Sequence, residues 1–223
     1  MCGRYALSIT ASRLGEFFAS PAADADSGYS PSYNIAPGRD IWGCSELDGE
    51  RRLDRFSWGL IPPWARVPET GSRLINARSE TVASKPAFRG AFQKRRCLIA
   101  ADAFYEWRKA ADGKQPYCIA MQDREPFAIA ALWGTWVDVA GGRLRSCALL
   151  TTGANGLMED IHPRMPVILN ETDWDLWLSP DVRADDLKTL LKPYPEDAMQ
   201  AWPVDTAVNI RVDPLILPSS CSL

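Results

Sequence analysis

Short runs in which apolar and polar residues alternate dominate the chain between residues 40 and 170. β-Branched and aromatic residues fill these runs, and Gly, Pro, Asn and Asp separate them, which is typical of strands joined by tight turns. Asp112–Gly113 and Gly141–Gly142 separate two pairs of runs and predict hairpins. The predicted strands are Cys2–Leu7, Asp40–Leu47, Leu53–Leu60, Cys97–Ala101, Phe104–Arg108, Gln115–Gln122, Phe127–Asp138, Leu144–Thr151 and Pro166–Leu169.

Helical periodicity is confined to a few segments. Thr10 is a suitable N-cap for a helix that ends at Phe18. The other predicted helices are Ser79–Phe92 (interrupted by Pro86), Glu171–Leu178 and Ala184–Leu191. Because strands do not alternate regularly with helices, a doubly wound α/β fold is disfavoured. We predict an α+β fold, with a curved, mainly antiparallel β-sheet or barrel as its core and helices at its periphery.

The composition is that of one globular domain. The chain has 223 residues, of which 46% are hydrophobic and 24% are charged, enough for one sizeable core. We expect a single domain over residues 1–223, with a loosely held tail from about Asp213. No apolar run reaches the length of a membrane span, and the N-terminus lacks the pattern of a signal peptide. These features predict a cytoplasmic protein that does not bind membranes.

The formal net charge of −3 excludes a general electrostatic attraction to nucleic acid. Any DNA-binding surface must therefore be a local basic patch. The candidate basic residues are Arg4, Arg39, Arg78, Arg89, Lys94, Arg95, Arg96 and Arg164, although each taken singly is more simply interpreted as a solvated charge.

The cysteines and the single histidine argue against a metal site. None of the six cysteines forms a C-x-x-C pair, and their wide spacing is not that of a disulfide framework. Cys97, Cys118 and Cys147 lie in apolar runs and are predicted to be buried thiols. We therefore expect no metal and no other cofactor.

Cys2 directly follows the initiator Met1, whose removal would leave Cys2 with a free α-amine. Amine and thiol on adjacent carbons can condense with an aldehyde, first to an imine and then to a five-membered thiazolidine ring. A competing interpretation is an N-terminal-nucleophile hydrolase, in which the amine acts as a base and the thiol attacks an amide.

Two further residues are candidates for proton transfer. Glu106 lies between aromatic residues in Phe104–Trp107, where burial would raise its pKa, although an exposed strand position is equally compatible with the pattern. His162 is the only histidine and lies between Asp160 and two prolines, close to Arg164. A rigidly held histidine beside a cation suits proton transfer near a phosphate, although a lone histidine is more often structural.

Binding chemistry is suggested by two other segments. Asn76 can donate or accept hydrogen bonds, and Arg78 can bind a phosphate with two parallel hydrogen bonds. Ser79 and Glu80, which follow, are more simply explained as helix-capping residues. Trp64 is held by two preceding prolines and could stack on bases, although core packing is the commoner role of a tryptophan.

Together these segments resemble one family, the SOS response-associated peptidase (SRAP) proteins. The matching blocks run in order from residue 2 to about residue 209. They are Met1–Arg4, Tyr33–Pro37, Trp58–Leu60 with Pro63–Trp64, Ile75–Glu80, Phe104–Trp107, Thr151–Thr152 with Ala154–Asn155, Ile161–Pro166 and Val208–Asn209.

The resemblance implies an α+β domain with a DNA-binding groove and a four-residue active site. The implied catalytic residues are Cys2, Asn76, Glu106 and His162, all of which are present here. The expected DNA-binding residues are Arg4, Asn34, Trp64, Arg78, Trp107, Thr151, Arg164 and Met165. Two positions depart from some family members: Ala65 stands where a second Trp occurs, and Ser32 where an Arg occurs. These departures put DNA affinity and junction preference in question.

The resemblance further implies a DNA-repair function in the SOS response. The expected activity is covalent crosslinking through Cys2 to abasic sites in single-stranded DNA and at single-strand/double-strand junctions, which shields the strand from cleavage. The protein is expected to act as a monomer near the nucleoid, and self-removal of Met1 is its only expected peptide chemistry. The alternatives are a peptidase or amidohydrolase that uses Cys2, and a non-covalent reader of modified DNA bases.

Overall fold

A computed structural model describes residues 2–20, 28–111 and 113–209. Met1, Asp112 and the tail predicted from about Asp213 lie outside the described residues. The strands are β1 (Tyr5–Leu7), β2 (Ser32–Ile35), β3 (Asp40–Leu47), β4 (Glu50–Trp58), β5 (Asn76–Arg78), β6 (Arg96–Ala101), β7 (Ala103–Ala110), β8 (Gly113–Met121), β9 (Phe127–Val137), β10 (Arg143–Gly153), β11 (Arg164–Pro166), β12 (Ile168–Leu169) and β13 (Met199–Pro203). The α-helices are α1 (Ala11–Phe17), α2 (Pro86–Lys94), α3 (Gly156–Glu159), α4 (Trp174–Leu178) and α5 (Ala184–Lys188). Short 3-10 helices cover Pro68–Arg73, Glu171–Asp173, Glu196–Ala198 and Thr206–Asn209.

The strands form two sheets. The first has five strands in the order β13-β8-β7-β1-β2, and the second has eight, in which β11-β10-β4-β3-β6-β9-β12 form a path and β5 joins β10. Pairing is antiparallel except where β10 lies parallel to β4 and β5. The helices are few and short, so the α+β prediction is confirmed.

The main hydrophobic core is shared by the two sheets. Phe104 and Ile119 of the five-stranded sheet belong to the same buried cluster as Leu98, Ile129 and Leu149 of the eight-stranded sheet. Long runs of β6, β9 and β10 are fully buried. The predicted buried thiols Cys97, Cys118 and Cys147 are confirmed, and each is a free cysteine.

Both predicted hairpins are present. Ala110 of β7 pairs with Gly113 of β8 across the first turn. In the second, between β9 and β10, the Asp138 carboxylate accepts hydrogen bonds from the backbone N–H groups of Ala140 and Gly142, at 2.8 and 2.7 Å. These local bonds explain why turn composition alone located the second hairpin.

Helix α1 begins as predicted, and the second predicted helix does not. The Thr10 hydroxyl caps α1 by accepting a hydrogen bond from the Arg13 backbone N–H at 3.2 Å. The prediction of a helix over Ser79–Phe92 is wrong, because α2 begins only at Pro86. Proline lacks a backbone N–H and suits the first turn of a helix, where that group has no intrahelical partner. The residues before it form turns.

The position of Arg96 removes it from the predicted basic patch. Its side chain is buried, and its guanidinium donates hydrogen bonds to the backbone carbonyls of Phe92, Trp177 and Ser179. Burial lowers the pKa of Arg96 to about 10. Arg96 therefore joins α2 and α4 to β6 and is not a surface charge.

No helix among the described residues is long and apolar enough to cross a membrane.

Candidate active site

Cys2 is fully buried just before β1. The Asn76 side-chain N–H donates to the Cys2 carbonyl oxygen at 2.8 Å, which ties the start of the chain to β5. Burial raises the pKa of the Cys2 thiol well above its usual range, and the nearby charge of Glu106 raises it further. The thiol is therefore protonated at neutral pH, and its reaction as a nucleophile needs a base.

Glu106 is a titratable group close enough to that thiol for its charge to raise the thiol pKa. It lies in β7 with its side chain almost fully buried, so the first of the two interpretations of its strand position is the correct one. Burial raises the pKa of the Glu106 carboxyl, and the neighbouring His162 opposes this shift. A carboxyl with a raised pKa can act as both acid and base closer to neutral pH than an exposed one.

His162 faces Glu106 from the turn that follows α3. Its Nδ1 lies 3.9 Å from Glu106 Oε1, which is longer than a hydrogen bond but close enough for a small shift to form one. The His162 backbone N–H donates to the Met158 carbonyl at 2.8 Å, and its Nδ1 accepts from the Arg164 backbone N–H at 3.1 Å. The same Nδ1 lies 3.1 Å from the Arg164 carbonyl oxygen, so either neutral tautomer of His162 finds a backbone partner there.

Asn76 and Arg78 are brought to the site by the short strand β5. This strand runs parallel to β10, with Asn76 beside Leu149 and Arg78 beside Thr151. The Asn76 Oδ1 atom is buried and accepts no hydrogen bond from the described residues. The Arg78 guanidinium is exposed and forms no hydrogen bond or ion pair within the described chain, so it is available to an anion.

Three of the predicted DNA-binding residues contact the 3-10 turn Thr206–Asn209. Arg4 donates to the Asn34 side chain at 2.6 Å and to the Val208 carbonyl at 2.7 Å. Asn34 donates to the same carbonyl at 3.2 Å. The Trp107 indole N–H donates to the Asn209 side-chain oxygen at 2.8 Å. The turn therefore fixes the positions of Arg4, Asn34 and Trp107.

Arg164 and Thr151 belong to a second network, which also includes Glu80. The Arg164 guanidinium forms an ion pair with Glu80 and donates to the Thr151 carbonyl oxygen at 2.6 Å and to its hydroxyl at 3.2 Å. The Thr151 side chain is fully buried. Met165 also has a fully buried side chain, within the main hydrophobic core, so its contribution there is packing.

Trp64 is the most exposed aromatic residue among the predicted site residues, with 61% of its surface accessible. Its loop is supported by a close backbone contact, because a Cβ atom on Gly59 would lie 2.6 Å from the Gly71 carbonyl oxygen. Gly59 also has a φ of +140°, which side chains rarely allow. The Trp136 indole N–H donates to the Ala65 carbonyl at 2.8 Å and holds the far side of the loop.

A groove of about 720 Å³ separates Trp64 from α2. Arg89 and Arg95 line it together with Pro63 and Gly90. The groove therefore combines an exposed aromatic ring with two cations, a composition that suits a nucleic-acid backbone and its bases.

Cys2, Asn76, Glu106 and His162 come from four separate parts of the chain and meet at one site. Sequence reasoning missed the pairing of Glu80 with Arg164 and the contacts that the Thr206–Asn209 turn makes with Arg4, Asn34 and Trp107, although the motifs that contain these residues were visible. Among the described residues, no group of three or more His, Cys, Asp and Glu side chains could hold a metal ion.

Comparison with known proteins places the whole described chain in one group. The model of the family described as SOS response associated peptidase (SRAP) matches residues 1–211. The abasic site processing protein YoqW of Bacillus subtilis is 41% identical over 211 residues, covering 94% of each chain. The abasic site processing protein YedK of Escherichia coli is 32% identical over 217 residues, again covering 94% of each.

More distant relatives also match more than nine tenths of this chain. The abasic site processing protein HMCES of Gallus gallus is 29% identical, and the match covers 94% of this chain and 74% of HMCES. A crystal structure of a protein from Bacteroides thetaiotaomicron superposes with a TM-score of 0.85 at 26% identity, covering 92% of this chain and 93% of the other. A second, from Bordetella bronchiseptica, has a TM-score of 0.78 at 30% identity, covering 92% of this chain and all of the other.

Proposed function

The chain belongs to the SOS response associated peptidase (SRAP) family, and from this premise we propose that it processes abasic sites in DNA by covalent attachment through Cys2. Its relatives named abasic site processing proteins support the broader activity. The observation that carries the covalent step is the placement of Cys2, held by Asn76, next to the buried Glu106 and His162.

The reaction we propose begins after Met1 has been removed. The free amine of Cys2 attacks C1′ of the ring-opened abasic deoxyribose and forms a carbinolamine, which loses one water to give an imine. The thiol then adds to the imine carbon, its proton passes to the nitrogen, and a thiazolidine ring closes. The sequence of steps releases one water and needs no oxidant or reductant.

Glu106 serves both proton transfers in this sequence. Because burial raises the pKa of its carboxyl, Glu106 can protonate the leaving hydroxyl of the carbinolamine. The carboxylate that remains can then take the proton of the Cys2 thiol, whose own pKa is raised by burial. We assign His162, which lies beside Glu106, to open the sugar ring by proton transfer at the ring oxygen.

Asn76 and Arg78 position the DNA in this proposal. The buried Asn76 oxygen, which has no partner among the described residues, accepts the hydroxyl of the carbinolamine. The exposed Arg78 binds a flanking phosphate. We assign Arg4, Asn34, Trp64, Trp107 and Arg164 to the DNA-binding surface around them, which takes single-stranded DNA and junctions. Thr151 and Met165 are fully buried and support this surface from within. The protein is proposed to act as a monomer.

A crosslinking assay with single-stranded DNA that carries one abasic site tests the proposal. We expect wild type to give a product that survives denaturation and has the mass of the Met1-free protein plus DNA minus one water. Cys2→Ala should give no stable product. Cys2→Ser keeps the amine and should give an adduct only after borohydride reduction of the imine. Cys44→Ala, which removes another buried thiol, is the matched control and should react like wild type.

Several outcomes would contradict the proposal. If wild-type protein forms no adduct, covalent crosslinking is excluded. The alternative of a protein that binds modified DNA bases non-covalently would then remain. Stable adducts from Cys2→Ala would exclude the thiazolidine. Glutamine hydrolysis that depends on Cys2 would instead favour the amidohydrolase.

The same samples test whether Met1 leaves by self-cleavage. If the site removes its own initiator residue, intact-mass measurement should find Met1 retained in Glu106→Gln and lost in wild type. Equal loss from both proteins would assign the removal to a separate aminopeptidase.

A further inference from the structure

The groove between Trp64 and α2 lies outside the four-residue active site and is lined by two cations. Arg89 and Arg95 line it, and neither guanidinium forms a hydrogen bond or an ion pair with the described residues. Among the described residues that line the groove, none is acidic. The two positive charges are therefore available to an anionic ligand.

Helix α2 presents one face to the core and the other to the groove. Phe88 and Phe92 are buried on the first face. Arg89 and Gln93 are exposed and line the groove, and they share the second face because side chains four positions apart lie one turn from each other. The exposed face of α2 thus offers polar side chains along the length of the groove.

Gly90 leaves this wall of the groove without a side chain. It lies in the middle of α2 at an exposed position, where glycine is less favourable than any residue except proline. The fold does not require a glycine here, because a Cβ atom would have only Nη2 of Arg95 within 4 Å, at 3.8 Å. Packing therefore permits a side chain at this position, and its absence keeps the groove open to a ligand.

Two successive turns connect β5 to the start of the groove. The Arg78 carbonyl accepts from the Thr81 backbone N–H at 3.1 Å, and the Thr81 carbonyl accepts from the Ser84 backbone N–H at 3.1 Å. Because a turn of this kind spans less than about 7 Å, Ser84 lies within about 14 Å of Arg78. Pro86, two residues further on, lines the groove. At a rise of about 3.4 Å per nucleotide, a strand bound at Arg78 covers 14 Å with about four nucleotides.

We infer that this groove binds the unpaired DNA strand on one side of the abasic site, with phosphates at Arg89 and Arg95 and a base stacked on Trp64. The inference rests on the proposed function, because attachment at Cys2 fixes where the strand leaves the active site. A positive groove with an exposed aromatic ring is the usual composition of a single-strand site. In a duplex the neighbouring base pairs cover the faces of the bases, so an exposed ring along the groove favours unpaired bases.

Binding of oligonucleotides that carry an unreactive tetrahydrofuran analogue of the abasic site tests the inference. The short oligonucleotide has about two unpaired nucleotides on each side of the analogue, and two long ones have about ten on either the 5′ or the 3′ side. We expect wild type to bind one long oligonucleotide about 10-fold more tightly than the other, because a single stacked base contributes that much affinity. Fluorescence anisotropy measures the three affinities.

Gly90→Gln and Arg89→Ala are the test variants. Gly90→Gln fills the groove with an uncharged side chain that favours the helix, so the urea midpoint should not fall and the preference for one long oligonucleotide should be lost. Gly90→Ala makes the same backbone change with a single methyl group and is the matched control, which should keep the preference. Arg89→Ala should reduce the salt slope of binding by about 0.7 for the preferred long oligonucleotide and leave the slope for the short one unchanged.

Three results would overturn the inference. A preference in Gly90→Gln as large as in wild type would show that the strand does not enter the groove. Equal affinities of wild type for the two long oligonucleotides would exclude a strand bound on one side. If the affinity rises only when a complementary strand makes the long side double-stranded, the groove holds the duplex arm of a junction. Failure of wild type to crosslink a reactive abasic site would instead count against the proposed function, and the oligonucleotide preferences would still decide the role of the groove.

Discussion

At the scale of single residues, Glu106 shows that a site useful for chemistry can cost stability. Burial raises the pKa of this carboxyl above its value in the unfolded chain, so the folded state binds the proton more tightly. The stability associated with that proton is fully present at acidic pH. It is lost as the pH rises through the folded-state pKa, which lies above the usual carboxyl value of about 4.3.

We therefore predict that Glu106→Gln stabilises the protein at pH 8 and has little effect at pH 4. The neutral amide avoids burial of a charge, and the gain at pH 8 should be about 1 kcal/mol, the usual size of a single-residue effect. Urea denaturation at the two pH values measures the free energy of unfolding. Glu69→Gln, at an exposed position, should not show the pH-dependent difference. A Glu106→Gln effect of equal size at both pH values would contradict the explanation.

Residue chemistry also sets how much of the site could be predicted. Cys2, Glu106 and His162 were identifiable because each carries a reactive group in an unusual local sequence. The local sequence predicts a capping role for Glu80, whereas in the structure Glu80 pairs with Arg164, 84 positions further along the chain. Ion pairs between such distant positions are set by the tertiary fold, and local patterns contain no information about them.

At the scale of elements, the 3-10 turn Thr206–Asn209 organises one wall of the site. Its backbone carbonyls hold Arg4 and Asn34, and the Asn209 side chain holds Trp107. Val208 is buried in a small cluster with Tyr105, which anchors the turn. An element near the end of the described chain thus shapes a surface built mainly from β1, β2 and β7.

We predict that Asn209→Ala weakens non-covalent binding of single-stranded DNA with a tetrahydrofuran site about 5-fold, because one hydrogen bond typically contributes about 1 kcal/mol. The loss should come through Trp107, since Arg4 contacts backbone atoms that the substitution keeps. Fluorescence anisotropy measures the affinity. Thr206→Ala, in the same turn but with an exposed side chain, is the control. Equal affinities of Asn209→Ala and wild type would show that the Trp107 contact is irrelevant to DNA.

Prediction of strands from the sequence failed mainly where the strands are short and depend on pairing with neighbouring strands for their stability. β5 has three residues and exists because β10 pairs with it, and β2 and β13 lie at the two ends of the five-stranded sheet. None of them shows enough alternation to be recognised alone. By contrast, β3 was predicted with its exact ends, because its eight residues are bounded by turns at both sides.

At the scale of the whole molecule, the net charge is negative, so DNA can be attracted only by a local cluster of positive side chains. The chain carries a net charge of −3, and Arg96 is withdrawn from the surface into the protein. The Arg164 guanidinium forms an ion pair with Glu80, and the Arg4 guanidinium donates a hydrogen bond to the Thr206–Asn209 turn. Arg78 is exposed and has no partner in the described chain, and it lies in β5 two residues from Asn76.

We predict that one phosphate contact of this protein depends on Arg78. For single-stranded nucleic acid, the logarithm of the binding constant falls with the logarithm of salt concentration by about 0.7 for each phosphate neutralised. Arg78→Ala should therefore reduce the magnitude of that slope by about 0.7, weaken binding uniformly across DNA sequences, and leave the stability of the fold unchanged. Anisotropy titrations from 50 to 200 mM salt (roughly the range over which such slopes are resolved) supply the measurement.

Arg143→Ala is the matched control for this titration. Arg143 is also exposed, but it lies at the opposite end of β10 from Thr151, about 27 Å away at the usual rise of a strand. Because that distance exceeds the screening length of about 8–10 Å at these salt concentrations, its removal should leave the slope as in wild type. If both substitutions changed the slope equally, the attraction would come from the total charge of the protein, and Arg78 would lose its assignment as a phosphate ligand. If only Arg78→Ala changes it, this acidic protein binds DNA through the guanidinium that the short strand β5 presents two residues from Asn76.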